Sequence, residues 1–202
     1  MKNKLRSLCV YCGASSGHEP AYADAARALG VQMAHQGIAR VYGGGHVGLM
    51  GVIADAVLQA GGEVTGIIPK ALMDTEIGHT HLTRLLVVRD MHERKALMAE
   101  HAQGFIAMPG GIGTLEELFE VMTWMQLGFH EKPVGLLNVQ GFYDGLLAFL
   151  DHQVQTGFLR AEHRALLINQ SEPASLIKTL QQFQMPEGVS WLSRQAARTL
   201  GP

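Results

Sequence analysis

The stretch GFIAMPGGIGTLEELFEVMTW, residues 104–124, contains an apolar run, a glycine-rich turn and a helical pattern in succession. The apolar run has the length of a buried strand, and the residues from 115 onward follow a helical period. Glycines at 110, 111 and 113 leave the backbone N–H groups of the turn open to a ligand, and such groups at the start of a helix attract anions. Glu116 and Glu117 follow at once, although acids repel an anion. The acids therefore either cap the helix or act on a ligand whose phosphate group lies in the turn.

The same succession of short apolar runs and longer helical patterns extends along the chain. Strands are predicted at 7–13, 38–45, 63–69, 82–90, 104–111 and 132–138, and helices at 20–36, 47–60, 91–102, from 115, and at 141–157. The strand runs lack polar alternation, which is typical of strands covered on both faces. We therefore expect an α/β fold: a Rossmann-like, doubly wound, mostly parallel sheet flanked by helices. We assign residues 1–182 to a single nucleotide-binding catalytic domain and residues 183–202, whose pattern is weak, to a C-terminal tail.

The composition excludes several classes of partner. The 202 residues fit one domain, and a formal net charge of −2 gives no basic surface of the kind that nucleic acid requires. No segment approaches the roughly 18–20 apolar residues of a membrane span, and the first apolar run is shorter than the roughly 7–15 residues of a signal peptide. We therefore expect a cytoplasmic protein with no nucleic-acid or membrane partner.

The two cysteines, Cys9 and Cys12, stand in a CVYC pattern within the first predicted strand. Strand positions three apart face opposite sides, and a zinc site would need a second pair of ligands at suitable spacing. We expect two buried, reduced thiols.

Three loops of small residues follow predicted strands, at 12–17, 43–51 and 109–114. Ligands of doubly wound sheets bind beyond the carboxyl ends of the strands, so these loops are expected to line one crevice. The second loop contains the G-x-G-x-x-G pattern, but Glu63 opens the next strand instead of closing it, which disfavours a dinucleotide site. Close backbone approach by Gly48 and Gly51 is the better interpretation. The Walker pattern is absent, and a short loop such as 109–114 suits a monophosphate.

The role of Glu117 is open on helix physics alone. Thr114 and Glu117 fit a capping box, in which the acid serves only helix stability. Arg94 and Lys95, in the helix after strand four, favour a functional role, because cations near a helix N-terminus are disfavoured without an anion to bind. We expect strand four to lie next to strand five, which would bring these cations to the same crevice.

The motifs PGGIGTLEE and MHERK together resemble those of the LONELY GUY family of cytokinin riboside 5′-monophosphate phosphoribohydrolases, relatives of which have been described as lysine decarboxylases. The resemblance covers nearly the whole chain, from VYCGASSG through YGGGHVGLMG to TWMQLGFHEKPVGLLN. It implies cleavage of the N-glycosidic bond of an N6-modified AMP to free base and ribose 5-phosphate, without metal or organic cofactor, by a homodimer.

The resemblance also implies the site residues. It implies that Arg94 and Glu117 are the catalytic pair. It also implies that the 5′-phosphate is bound by the turn of Gly110, Gly111, Ile112, Gly113 and Thr114. Further residues of the nucleotide site are then Glu76, Lys95, Leu115, Glu116 and Thr123, together with Arg94 itself.

Physical chemistry agrees with this assignment. One helical turn, ~5 Å, separates the phosphate turn from Glu117, a plausible offset between a 5′-phosphate and the C1′ region of ribose. A carboxylate there can stabilise an oxocarbenium-like centre or activate water. Arg94 can orient that carboxylate or the ribose hydroxyls. Met91 and Met98 are candidate walls of the base pocket, and the choice between AMP and a prenylated AMP stays open.

The helix after the glycine turn is apolar around much of its circumference, through Phe119, Val121, Met122, Trp124, Met125 and Leu127. Depth within one chain explains this pattern, but we favour a two-fold dimer contact.

Two other functions are compatible with parts of the sequence. A non-catalytic carrier of a nucleotide or of molybdenum cofactor would share the glycine loops, although the pair Arg94 and Glu117 argues against it. A pyridoxal-phosphate decarboxylase would need a Schiff-base lysine, for which Lys95 is the candidate near the crevice.

Overall fold

The computed structural model describes residues 5–73, 78–79 and 81–192, and within them a seven-stranded sheet has the order β4-β3-β2-β1-β5-β6-β7. The strands are β1 (Ser7–Tyr11), β2 (Ala39–Tyr42), β3 (Val64–Pro69), β4 (Arg84–Val88), β5 (Phe105–Ala107), β6 (Val134–Leu137) and β7 (Leu167–Gln170). The helices are α1 (Pro20–His35), α2 (Gly48–Gln59), α3 (Lys70–Met73), α4 (Met91–His101), α5 (Ile112–Leu127), α6 (Asp144–Gln155), α7 (Ala161–Arg164) and α8 (Pro173–Gln182). Every neighbouring pair of these strands is parallel. The expected Rossmann-like fold is confirmed, and β7 was not predicted.

The winding direction of the sheet reverses between β1 and β5. The chain leaves β1 toward β2, β3 and β4, and then returns to build β5, β6 and β7 on the other side. Tyr11 and Ala107, the last residues of β1 and β5, are register partners. The reversal therefore opens a crevice above these two strands, where ligands of such folds bind.

Two layers of helices cover the sheet. Helices α1, α2 and α8 bury apolar side chains on one face, and α4, α5 and α6 do so on the other. Cys9 belongs to the second layer and Cys12 to the first, as the strand spacing predicts. Both thiols are free and buried, and burial raises the pKa of Cys12 to about 11. The prediction of two buried, reduced thiols is confirmed.

The position of strand four differs from the prediction. β4 lies at the edge of the sheet, and three strands separate it from β5, so the expectation that the two are neighbours is wrong. The reason is that the first half of the chain winds outward in one direction before it returns. α4 makes that return by crossing over β3, β2 and β1, and so it still carries Arg94 and Lys95 toward α5.

The described part of the C-terminal segment lies against the domain. The Trp191 N–H donates to the Gln126 carbonyl at 2.9 Å, and Val189 is buried. Residues 193–202 of the predicted tail lie outside the described residues. None of the helices described is long and apolar enough to cross a membrane.

Candidate active site

The three glycine loops meet at the carboxyl edge of the sheet, as predicted. The Gly13 N–H donates to the Pro109 carbonyl at 3.0 Å, and a Cβ on Gly110 would lie 2.8 Å from the Gly13 nitrogen. A Cβ on Gly48 would collide with the carbonyl group of Ala14. Glycine is therefore required at these positions because backbones approach one another closely.

A cavity of about 370 Å³ opens between the first and third loops. Its walls are the backbone of 13–17 and 109–111, together with Leu49 and two aromatic side chains, Tyr22 and Phe142. The two aromatic rings meet edge to face at 5.8 Å. Sequence reasoning missed both aromatics, although each lies in the segment that follows a strand at this edge.

Helix α5 begins earlier than predicted. Gly111 is its N-cap and Ile112 its first residue, so the predicted start at 115 with Thr114 as cap is wrong. Thr114 is buried inside the first turn, where a Cβ on Gly110 would collide with its hydroxyl. Within the described chain no side chain caps α5, and a Cβ on Gly111 or Gly113 would meet open space. The N–H groups of the first turn can therefore receive an anion.

Glu117 stands one turn further along α5, and it does not serve as a helix cap. Its carboxylate makes no hydrogen bond or ion pair with any residue that the structure describes. Burial raises the pKa of Glu117 to about 7, while the nearby positive charge of Arg94 opposes the rise. The alternative of a capping box is thereby excluded, and the carboxyl group is left unpaired with a pKa near neutrality.

Arg94 reaches the crevice from the first turn of α4. Its Nη2 lies 3.4 Å from the Gly43 carbonyl oxygen and its Nη1 lies 3.5 Å from the Met91 sulfur. Its Nε is buried and has no partner among the described residues. A buried N–H without a partner costs free energy, which a ligand acceptor would recover. A Cβ on Gly43 would occupy the space of the guanidinium group, so this glycine admits the arginine.

Lys95 and Glu116 form a bridge between the helices instead of an open binding group. The Lys95 Nζ lies 2.7 Å from a carboxylate oxygen of Glu116 and 2.8 Å from one of Glu120. Burial alone lowers the pKa of Lys95, but these two bonds outweigh it and raise the pKa above its usual value. This bridge sets the position of α4, and hence of Arg94, relative to α5.

The other predicted site residues are more dispersed. Leu115 is half-buried against the core, and Thr123 is exposed with its hydroxyl donating to the Phe119 carbonyl at 2.7 Å. Nine residues of helix, ~14 Å along the axis, separate Thr114 from Thr123, too far for both to contact one phosphate. Glu76 lies outside the described residues. Met98, a candidate wall of the base pocket, is buried in the core, so that assignment is wrong.

The core beneath Arg94 and Glu117 includes Tyr11, which sequence reasoning also missed. Its ring stacks on Phe105 with centroids 6.1 Å apart. Burial raises the pKa of Tyr11, and the neighbouring Cys9 and Glu117 add to the rise. Tyr11 is therefore a neutral residue of the core.

Fold and geometry together define a Rossmann-like protein in which an uncapped helix N-terminus stands beside a carboxylate and an arginine. The family model described as "Possible lysine decarboxylase" matches residues 50–180. Cytokinin riboside 5′-monophosphate phosphoribohydrolase LOG1 of Arabidopsis thaliana is 48% identical over 183 residues, which cover 91% of this chain and 86% of that protein. The enzyme LOG of Oryza sativa subsp. japonica, with the same activity name, is 47% identical over 193 residues, 94% and 79% of the two chains. The chain belongs to this LONELY GUY family of phosphoribohydrolases, as its motifs indicated.

Solved structures share the fold at lower identity. The molybdenum cofactor binding protein from Rippkaea orientalis superposes with a TM-score of 0.67 at 22% identity, over 87% of this chain and 95% of that one. The molybdenum cofactor carrier protein from Chlamydomonas reinhardtii gives a TM-score of 0.64 at 20% identity, over 87% and 96% of the two chains. These likenesses extend to the fold alone.

Proposed function

We propose that the protein hydrolyses the N-glycosidic bond of an adenosine 5′-monophosphate, N6-modified or not, to the free base and ribose 5-phosphate. The activity for which its relatives are named supports the reaction. The observation that carries it is the unpaired, half-buried carboxyl group of Glu117, whose pKa of about 7 suits proton transfer at neutral pH.

The uncapped start of α5 is the proposed phosphate site. The partial positive charge of a helix N-terminus and its free N–H groups favour a dianionic phosphate monoester. Gly111 and Gly113 leave the space that such a group needs. Phosphate held there places the ribose over the next turn, where Glu117 stands.

Glu117 then acts on the sugar. In its ionised form it takes a proton from the attacking water as the new O–C1′ bond forms and the bond from C1′ to the base nitrogen breaks. The base leaves with the electron pair and gains one proton overall, which balances the proton lost by water. The carboxylate also stabilises positive charge that develops on the ribose in an oxocarbenium-like transition state.

Arg94 supports this chemistry in two ways. Its positive charge lowers the pKa of Glu117 from the value that burial alone would give, so that part of the carboxyl group is ionised at neutral pH. Its buried, unpartnered Nε is a donor for a ligand oxygen. Lys95 has a different role, because its two carboxylate partners keep it charged, whereas a Schiff-base lysine must lose its proton.

The quaternary structure and compartment belong to the same proposal. Val121, Met122 and Met125 are buried within their own chain, so depth accounts for that side of α5. Ile112 and Met91, exposed by 83% and 43% beside the catalytic pair, support a homodimer contact at the mouth of the site. Two free thiols fit a reducing cytoplasm. Light scattering of the purified protein tests the dimer.

A substrate panel tests the activity. We expect base release from AMP or isopentenyl-AMP and none from adenosine, because adenosine lacks the phosphate. The ratio of the rate on AMP to the rate on isopentenyl-AMP distinguishes AMP nucleosidase activity from cytokinin activation. Retention of a pterin with no base release from either nucleotide would instead favour a carrier, and the proposal would then be wrong.

A further inference from the structure

Three side chains with metal-binding atoms converge beside helix α2. His46, Asp55 and His79 each place one such atom within 4.8 Å of the others. The Asp55 Oδ1 lies 2.9 Å from the His79 Nε2, and the rings of His46 and His79 meet edge to face with centroids 4.6 Å apart. The two imidazoles and the carboxylate come from three separate segments of the chain, so their meeting is a product of the fold.

Glycines bring these segments together. A Cβ on Gly51 would collide with the His46 carbonyl oxygen, so glycine lets the backbone of His46 run against α2. Asp55 lies one turn beyond Gly51 on the same side of the helix. On the other side, the His79 N–H donates to the Gly44 carbonyl at 3.1 Å. The loop before α2 is thus held between α2 and the segment of His79.

Burial within the cluster is graded. The His79 side chain is only 3% exposed, the Asp55 side chain is 44% exposed, and His46 is exposed. One donor is therefore fixed by its surroundings, while the other two are open to solvent and free to adjust. This arrangement gives an ion a path in and leaves a coordination position for water.

We propose that His46, Asp55 and His79 bind a divalent transition-metal ion, with Zn²⁺ the best match to two imidazoles and one carboxylate. Zinc bonds to these atoms are about 2.0–2.2 Å long, which places tetrahedral ligands about 3.3 Å apart. The present separations of up to 4.8 Å exceed this by an amount that side-chain rotation of His46 and Asp55 can close. Water completes the four-coordinate set, as in other three-ligand zinc sites.

The hydrogen bonds of His79 define what the ion must displace. Its Nδ1 accepts from the His81 N–H at 3.3 Å, so the proton of the neutral ring is on Nε2 and points to Asp55. An ion bound at Nε2 moves that proton to Nδ1, and the long contact with His81 is given up. The short bond between His79 and Asp55 is replaced by two bonds to the same ion.

The site is separate from the catalytic pair. Helix α2 packs on one face of the sheet, whereas α4 and α5, which carry Arg94 and Glu117, pack on the other. The bound ion has a structural role: it ties the loop at 43–46 to α2, and the Gly43 carbonyl in this loop accepts from Arg94.

Metal titration of untagged, chelator-treated protein tests the proposal. We expect calorimetry with Zn²⁺ to give one ion per chain, Co²⁺ to give the visible absorption of a tetrahedral site, and Zn²⁺ to raise Tm. His46→Ala and Asp55→Asn should each weaken binding at least tenfold and remove the rise in Tm. Both positions are solvent-accessible, so the variants should fold, which circular dichroism checks. His35→Ala, at an exposed histidine on α1, is the matched control and should bind as the wild type does. Failure of the wild-type protein to bind Zn²⁺, or equal binding by the cluster variants, overturns the proposal.

Discussion

The guanidinium group of Arg94 occupies the space that a side chain at Gly43 would fill, with its Nη2 3.4 Å from the Gly43 carbonyl oxygen. Even one methyl group at position 43 must therefore displace the arginine. We expect Gly43→Ala to fold but to lower kcat/KM about 10²-fold, the effect of misplacing a catalytic group by about 1 Å. Base release from AMP measures the effect.

Gly145→Ala is the control for that substitution. Gly145 lies in α6, where an added Cβ meets no atom within 4 Å beyond its chain neighbours and the backbone of its own helix. Alanine there should leave activity unchanged and stabilise the helix by about 0.5–1 kcal/mol. If Gly43→Ala were as active as Gly145→Ala, the placement of Arg94 would have no part in the reaction.

Substitution of Glu117 tests the proposed catalytic role of its carboxyl group directly. Glu117→Gln keeps the size and polarity of the side chain but cannot take a proton, so kcat should fall roughly 10²–10⁴-fold while AMP still binds. In the wild type, kcat/KM should rise with pH through about 7 as the carboxyl group ionises, and this rise should be absent from the residual activity of the variant. Glu100→Gln, at an exposed acid on α4, should behave as the wild type. Undiminished turnover by Glu117→Gln would falsify the assignment.

The raised pKa of Glu117 also predicts how stability depends on pH. Between the ordinary glutamate pKa of 4.5 and the folded value of about 7, the folded protein binds more protons than the unfolded chain. The free energy of unfolding should therefore fall as pH rises through this window, by roughly 3 kcal/mol from this group. Glu117→Gln should lack this component. Urea unfolding at pH 5 and pH 8 should therefore show that the stability of the variant, relative to that of the wild type, is greater at pH 8 than at pH 5. An equal difference at both pH values would contradict the buried, ionisable carboxyl group.

The alternation of strands and helices was predictable because buried parallel strands are continuous apolar runs, and the glycine loops were predictable as a cluster because they follow such strands. The edge strand β7 was missed, since Leu167–Gln170 is short and only its first residue is buried. The predicted position of β4 next to β5 was also wrong, because apolar runs do not indicate the direction in which the chain winds.

The candidate site was predictable in composition but not in geometry. The motifs indicated Arg94 and Glu117, yet helix physics alone was equally compatible with a capping box of Thr114 and Glu117 and with a role of Glu117 toward a ligand. Packing excludes the capping box, because the Thr114 side chain fills the space above Gly110 and is buried inside the first turn of a helix that begins at Ile112. The raised pKa of Glu117 could not be predicted from the sequence either, since it results from burial that only the folded chain creates.

The bridge between Lys95 and the two glutamates of α5 predicts a structural effect larger than a catalytic one. Lys95→Met should lower the free energy of unfolding by about 1.5–3 kcal/mol, the range for hydrogen bonds to charged groups. Activity should fall less than in Glu117→Gln, because the reacting groups remain. Lys178→Met, at an exposed lysine on α8, is the matched control and should be neutral. A Schiff-base enzyme would be supported instead by two results together. Folded Lys95→Met would lose all activity, and borohydride would trap a substrate on Lys95 of the wild type.

The start of α5 allows ligand binding and stability to be separated. A Cβ on Gly113 meets no atom within 4 Å beyond its chain neighbours and the backbone of its own helix. Side chains of a helix lean toward its N-terminus, so this Cβ points to the place where the phosphate is proposed to lie. Gly113→Ala should therefore raise stability by up to about 1 kcal/mol, because alanine favours the helix, while it raises the KM for AMP at least tenfold. Stability and affinity change in opposite directions, which general damage to the fold cannot produce. Urea unfolding and steady-state kinetics on the same preparation measure the two effects. An unchanged KM in the stabilised variant would show that the phosphate does not bind at this helix terminus.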